Sequence, residues 1–266
     1  MDGYCGIARM FQTFSKLGCP SVKWDKKLGQ DILTSGGFVQ VMTWGTLMLP
    51  TMSAGTFGIL CSSWVFMCTS STNRSELNPM GLFRGKPSTK KVEEGNLMVS
   101  RQVLILQYFT AQAIIYLMEQ PITSLMRLHE RLVELFKKLH LFTTTTWMGR
   151  FGADSAKGTW LMSNSQTLLD GLTRNLVRNE HVFQNDDITR PHYSGGVTGG
   201  SNLKKTQEYP EEFCVEVAIS ARSVSFPQLL LDVPSPGVPQ VTDLWEDARS
   251  GELAKFIGLP NDRLVC

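Results

Sequence analysis

Short apolar runs alternate with helical stripes along the first part of the chain, and the two periods define its elements. Ile7, Met10, Phe11, Phe14 and Leu17 recur at i, i+3, i+4 and i+7. That spacing predicts an amphipathic helix over Ile7 to Leu17, closed by Gly18. Ser21 to Trp24 predicts a short strand with Asp25 at its end, and Phe38 to Leu49 suits either helix or strand. Phe57-Gly-Ile-Leu-Cys61 is an apolar run stopping on a thiol and two hydroxyls, Ser62 and Ser63. It predicts a buried parallel strand over Phe57 to Ser62. Leu97 to Gln112 predicts a helix, and Ile114 to Met118 a second buried strand, ending on Glu119, Gln120 and Pro121. Ser124 to Leu139 predicts one helix, capped by Ser124 and ended by Lys137 and Lys138. Leu141 to Met148 and Gly158 to Met162 predict two further strands.

Strand, helix and strand in this order argue for an α/β fold with a Rossmann-like, doubly wound, mostly parallel sheet. No apolar run precedes Asp2, so the sheet is expected to lack its first strand. Residues 1–163 are expected to form this domain, and residues 164–266 a C-terminal appendage. Ser70 to Gly95 is polar and rich in Asn, Ser, Lys, Pro and Gly, a loop or lid. The appendage holds a Gly-rich basic loop over residues 190–207 and a Pro-rich bridge from Pro227 to Pro239.

Composition narrows the class without naming an activity. At 266 residues with 42% hydrophobic content, the chain can bury a substantial core. A net charge of +2 neither requires nor excludes nucleic acid. The six cysteines are dispersed, with no Cys-x-x-Cys pair and no His cluster beside them. That argues against zinc and against a disulfide framework, and for an intracellular protein, nuclear or cytoplasmic. Ile32 to Asn73 contains no Asp, Glu, Lys, Arg or His. A membrane protein spanning through residues 38–69 is one account of this stretch. Its many Gly, Ser and Thr and its Pro50 favour a buried sheet region.

The candidate chemistry lies at predicted strand ends, where open α/β sheets place their ligands. Cys61 is a candidate nucleophile or a small buried hydrophobe. Glu119 ends an apolar strand, where a carboxylate needs a partner or a ligand. Asp2-Gly-Tyr-Cys-Gly6 is a glycine turn before a helix, where a backbone can approach a cofactor closely. Asp25 is placed to accept from a ribose, and Asp31 either contacts a ligand or caps the helix beginning near Ile32. The loop from Arg190 through Lys204 and Lys205 either contacts phosphates or is a solvated surface.

In their order, Asp2-Gly-Tyr-Cys-Gly6, Asp25, Gln30-Asp31-Ile32, Leu60-Cys61-Ser-Ser and Glu119-Gln-Pro121 resemble the S-adenosylmethionine-dependent methyltransferases. Within that superfamily the pattern looks like that of the DNA cytosine-C5 methyltransferases, and it is also similar to a divergent eukaryotic, protist-type group. The resemblance covers residues 1 to about 163. Leu60 stands where that family has proline, Glu119-Gln-Pro replaces Glu-Asn-Val, and only one glycine of the turn's pair is kept. The resemblance implies a class I methyltransferase fold and S-adenosylmethionine bound by Asp2, Tyr4, Gly6, Asp25 and Asp31. It also implies catalysis by Cys61 and Glu119, with nucleic acid, DNA before RNA, near Arg150, Lys157, Lys204 and Lys205. The alternative is an inactive relic of that fold that binds a nucleotide, a nucleic acid or a protein.

Overall fold

The computed structural model of the 266-residue chain describes residues 1–4, 8–65, 68–82, 89–174, 189–191, 197–199 and 208–224. Six strands form the main sheet: β1 Asp2–Gly3, β2 Lys23–Trp24, β3 Ala54–Phe57, β4 Ile115–Pro121, β5 Phe142–Trp147 and β6 Gly158–Ser163. Their order is β2-β1-β3-β4-β6-β5. The pairs β1–β2, β1–β3 and β3–β4 are parallel, and β6 runs antiparallel to both β4 and β5. The fold is therefore α/β, with a mixed, mostly parallel sheet. Helices α1 Arg9–Lys16, α2 Ser35–Leu47, α3 Thr69–Thr72, α4 Lys90–Ala111, α5 Glu130–Lys138, α6 Gln166–Asp170 and α7 Glu211–Ser223 accompany it. A separate antiparallel pair joins β7 Thr189–Pro191 to β8 Val197–Gly199.

Two apolar clusters cover the sheet. Phe57, Tyr116 and Met118 pack with Val103, Leu106 and Phe109 of α4 and with Leu132 and Leu135 of α5. Leu117 and Leu161 pack instead with Met10 of α1, Leu168 and Leu169 of α6, and Phe213, Cys214 and Val217 of α7. Side chains alternate across β4, so its consecutive residues serve both clusters. Helix α7 thus closes the same face as α1.

Several elements differ from the sequence expectations. The first strand is present: Asp2–Gly3 lies inside the sheet, between the edge strand β2 and β3. Its brevity hides it, since two residues carry no alternation. The strand expected over Phe57 to Ser62 lies earlier, at Ala54–Phe57. Gly55 takes the strand position under Phe109, where a Cβ would meet the ring at 2.6 Å, and small residues mask a strand that packing selects. Cys61 consequently sits in the loop beyond β3. The ambiguous stretch after Phe38 is helical. It belongs to α2, whose Val39 and Leu47 are exposed, as are Leu49 and Met52 beyond it, so this region is no buried sheet. Residues 38–69 contain α2 and β3, and among the described residues no helix is long and apolar enough to cross a membrane. Helix α4 begins at Lys90, earlier than its apolar stripe suggests.

The helix expected over Ser124 to Leu139 is broken into a 3-10 turn, Leu125–Leu128, and α5. Ser124 caps the first and His129 the second, through Nδ1 accepting from the Arg131 N–H at 3.2 Å. His129 is fully buried, and burial, aided by Arg131 and Arg74, pulls its pKa down to about 3. The unfolded chain then binds this proton more tightly than the folded one. Stability is complete above the ordinary value of 6.5 and is lost as pH falls towards 3. His129→Asn keeps a capping acceptor and removes the titration. Urea unfolding should show the wild type losing about 3 kcal/mol more than the variant between pH ~6.5 and ~4, at roughly 1.4 kcal/mol per pH unit. Equal losses in both proteins would refute this assignment.

Candidate active site

The chain passes from β1 to β2 on one side and returns to β3 on the other. Open α/β sheets bind ligands at the carboxyl ends of the strands beside such a reversal, and Tyr4, Asp25 and Cys61 follow β1, β2 and β3 there. The Gly58 N–H donates to the Gly3 carbonyl at 3.3 Å and ties the two diverging strands together at that point.

On the β4 side, Glu119 follows Leu117 onto the α7 face, and Gln120 turns to the opposite face. Gln120 is fully buried. Its Nε2 donates to the Ile59 carbonyl at 2.6 Å, and its Oε1 accepts from the Ser124 hydroxyl at 3.1 Å. This amide holds the loop after β3 against the end of β4. The loop carries Cys61 past the end of β3, within the electrostatic reach of Glu119. The loop is clamped again by Arg74, which is 2% exposed and stacks 3.4 Å above the Trp64 ring. Its guanidinium donates to the carbonyls of Pro79 and Val92 and to Asn96 Oδ1 at 2.9 Å.

Glu119 is itself 7% exposed and engaged on both oxygens. Lys157 Nζ lies 3.2 Å from Oε1, an ion pair out of line for a hydrogen bond. The Tyr209 hydroxyl donates to Oε2 at 3.2 Å. Cys61 is partly exposed. Burial and the Glu119 carboxylate push its thiol up, against a smaller opposite pull from Lys157. A nucleophilic thiolate needs the reverse balance, with the cation dominant.

The residues expected to bind a cofactor divide into two environments. Asp2 is 4% exposed, and its Oδ2 accepts from the Phe11 N–H of α1 at 3.0 Å while the Thr56 hydroxyl lies 3.3 Å from Oδ1. Burial raises its pKa to about 6. Asp2 thus faces α1, whereas Tyr4 faces α4, donating to Gln102 Oε1 at 3.1 Å with its ring edge-on to Trp24. Asp25 caps a 3-10 turn, Lys26–Leu28, through the Lys27 N–H at 2.8 Å. Asp31 accepts from the Leu33 N–H at 3.0 Å and pairs with Lys26 at 2.9 Å. Burial would raise its pKa, but Lys26, the Leu33 N–H and Arg101 outweigh that and hold the carboxyl below its usual range. Gly6 lies outside the described residues.

Helix α4 adds two residues that the sequence reading leaves out. Arg101 and Gln102 are 3% and 1% exposed, beside Asp31 and Tyr4. Arg101 donates to the Ile32 carbonyl, yet its Nε and the Gln102 Nε2 are buried without a hydrogen-bond partner. Their signal in the sequence is a charge and an amide between Val99 and Val103 on an apolar stripe. Of the residues expected to meet nucleic acid, Lys157 pairs with Glu119, and Arg150 is exposed in the 3-10 turn Met148–Phe151. Lys204 and Lys205 lie outside the described residues. Among the described residues, no group of three or more His, Cys, Asp or Glu is placed to hold a metal ion.

No protein-family model matches this sequence, and no curated protein matches it.

The Lys157–Glu119 pair is mostly buried, with side chains 19% and 10% exposed. Lys157→Met leaves a carboxylate with one remaining bond and should destabilise the protein by about 2–3 kcal/mol, below the 3–5 of a fully buried pair. Adding Glu119→Gln should recover most of the loss, measured by urea unfolding as a double-mutant cycle. Additive losses would show that the two side chains do not interact.

Proposed function

We propose that this chain is a methyltransferase-like domain of class I type that transfers a methyl group from S-adenosylmethionine to a nucleic-acid base, at cytosine C5. The observation that carries this reading is that Cys61 follows β3 and Glu119 lies near the carboxyl end of β4, its parallel neighbour in the sheet. The sequential order supports it as well: a turn and Tyr4 after β1, Asp25 after β2, Cys61 after β3 and Glu119 on β4.

The Tyr4, Asp25, Asp31, Arg101 and Gln102 group suits the cofactor's polar parts. Buried donors without partners at Arg101 and Gln102 call for acceptors, and Asp25 stands where ribose hydroxyls would donate. When bound, the cofactor supplies an electrophilic methyl group. Cys61 as thiolate would add to C6 of the cytosine, and Glu119 would bind the N3 and amine edge and favour the activated ring. The activated C5 takes the methyl, the C5 proton leaves to solvent, and expulsion of the Cys61 sulfur restores the ring. The base would have to leave its stack to enter. Arg150 and the basic loop containing Lys204 and Lys205 are the candidate phosphate contacts.

A second reading, a binding module derived from the same fold, is favoured by the Cys61 thiol being pushed up rather than down. Calorimetry with S-adenosylmethionine, and an oligonucleotide carrying 5-fluorocytosine, separate the two. The enzyme reading expects cofactor binding and a covalent adduct that survives denaturation. Cys61→Ser should abolish the adduct, and Glu119→Gln should slow its formation by about 10²-fold or more. An adduct persisting in Cys61→Ser means another nucleophile. Cofactor binding without any adduct selects the binding module, and no cofactor binding removes the methyltransferase reading.

A further inference from the structure

We propose that Tyr209 is a built-in occupant of the candidate active site, holding the place of a planar aromatic ligand that donates a hydrogen bond to Glu119. The proposal rests on the methyltransferase-like reading of the site and assigns its ligand class from geometry. Three observations converge on this residue. Its hydroxyl donates to Glu119 Oε2 at 3.2 Å, the bond that a base amine would make. It fills the space over Gly58 at the strand reversal, where an added Cβ would meet the Tyr209 Oη at 2.5 Å and Glu119 Oε2 at 3.9 Å. Its ring stacks at a tilt on Phe213, centroids 5.5 Å apart, and Phe213 in turn packs edge-on against Phe151, so an aromatic group already has a platform there.

The occupant comes from the residues leading into α7, where its ring packs against the apolar cluster around Phe213 and two ion pairs lie nearby. Arg9–Glu208 at 3.2 Å and Lys16–Glu211 at 3.4 Å fasten this segment to α1, and both pairs are exposed. Exposed pairs of this kind contribute little. An incoming ring would have to displace Tyr209 from its contact with Phe213 and take that contact over, while Phe213 and Val217 keep their places in the buried cluster.

Two variants empty the niche by different routes. Tyr209→Ala removes the ring, whereas Gly58→Ala leaves it intact and drives the hydroxyl out. Alkylation of the full chain with iodoacetamide, mapped by mass spectrometry, reads the opening at Cys61, with Cys19 and Cys68 in the same molecule as internal references. Both variants should raise the Cys61 rate at least ten-fold relative to those references, with the circular dichroism spectrum kept. An unchanged Cys61 rate in both folded variants overturns the proposal. A single-stranded cytosine-containing oligonucleotide then tests the ligand class, with at least ten-fold tighter binding to Tyr209→Ala than to wild type expected. Opening at Cys61 without tighter oligonucleotide binding overturns the ligand assignment while leaving the cofactor result to decide the methyltransferase reading separately.

Discussion

The architecture depends on the two residues of β1. Their backbone pairs with β2 on one side and β3 on the other, and without them β2 has no strand to pair with. The carboxylate of Asp2 adds a third direction by holding the first turn of α1 through the Phe11 N–H. That placement has a cost, since burial opposes the ionised form of Asp2 and moves its titration to about pH 6. A side chain expected to meet a ligand is thus fully occupied in joining sheet and helix. Beside it, the strand order reverses, and the Gly58 N–H bond to the Gly3 carbonyl holds the start of the loop after β3 against β1.

The site divides along the same line. On the α4 face, Tyr4, Asp31, Arg101 and Gln102 form a polar group within an apolar helix interface, and two of its donors lack partners. On the α7 face, Glu119 is surrounded by a cation and a phenol and lies within electrostatic reach of a thiol. One residue, Gln120, sets the relation between the two strand ends. By engaging Ile59 and Ser124 it fixes where the loop after β3 runs, and so where Cys61 lies.

Much of the fold was legible because periodicity reports burial on one face. The stripe of α1 and the apolar run of β4 carry that signal. It failed where packing, and not residue character, selects the element. Ala54–Phe57 is a strand because Gly55 admits Phe109, and Phe57 to Leu60, although more apolar, extends past the sheet. Asp2–Gly3 is too short for any period. His129 splits a continuous leucine stripe because its imidazole caps the start of α5. At the candidate site, Cys61 and Glu119 stood out as reactive groups ending apolar runs. Tyr209 did not, for its contacts are long-range and its neighbours in sequence, Glu208 and Pro210, describe only an approach to a helix. Lys157 is visible in the sequence only as a charge, since its pairing with Glu119 depends on β6 entering the sheet beside β4.

The seating of α7 on α1 joins two kinds of force with opposite responses to the solvent. Beneath lies apolar contact among Met10, Phe213, Cys214 and Val217. At the rim lie Arg9–Glu208 and Lys16–Glu211, the latter with side chains 73% and 68% exposed. Screening reaches within about 8 Å at physiological ionic strength and about 3 Å at 1 M salt. Rising salt loosens the rim while leaving the buried contact in place. Salt therefore acts on this seam only at Glu208 and Glu211, where the pairs contribute little, and the docking of α7 on α1 rests on the buried contact.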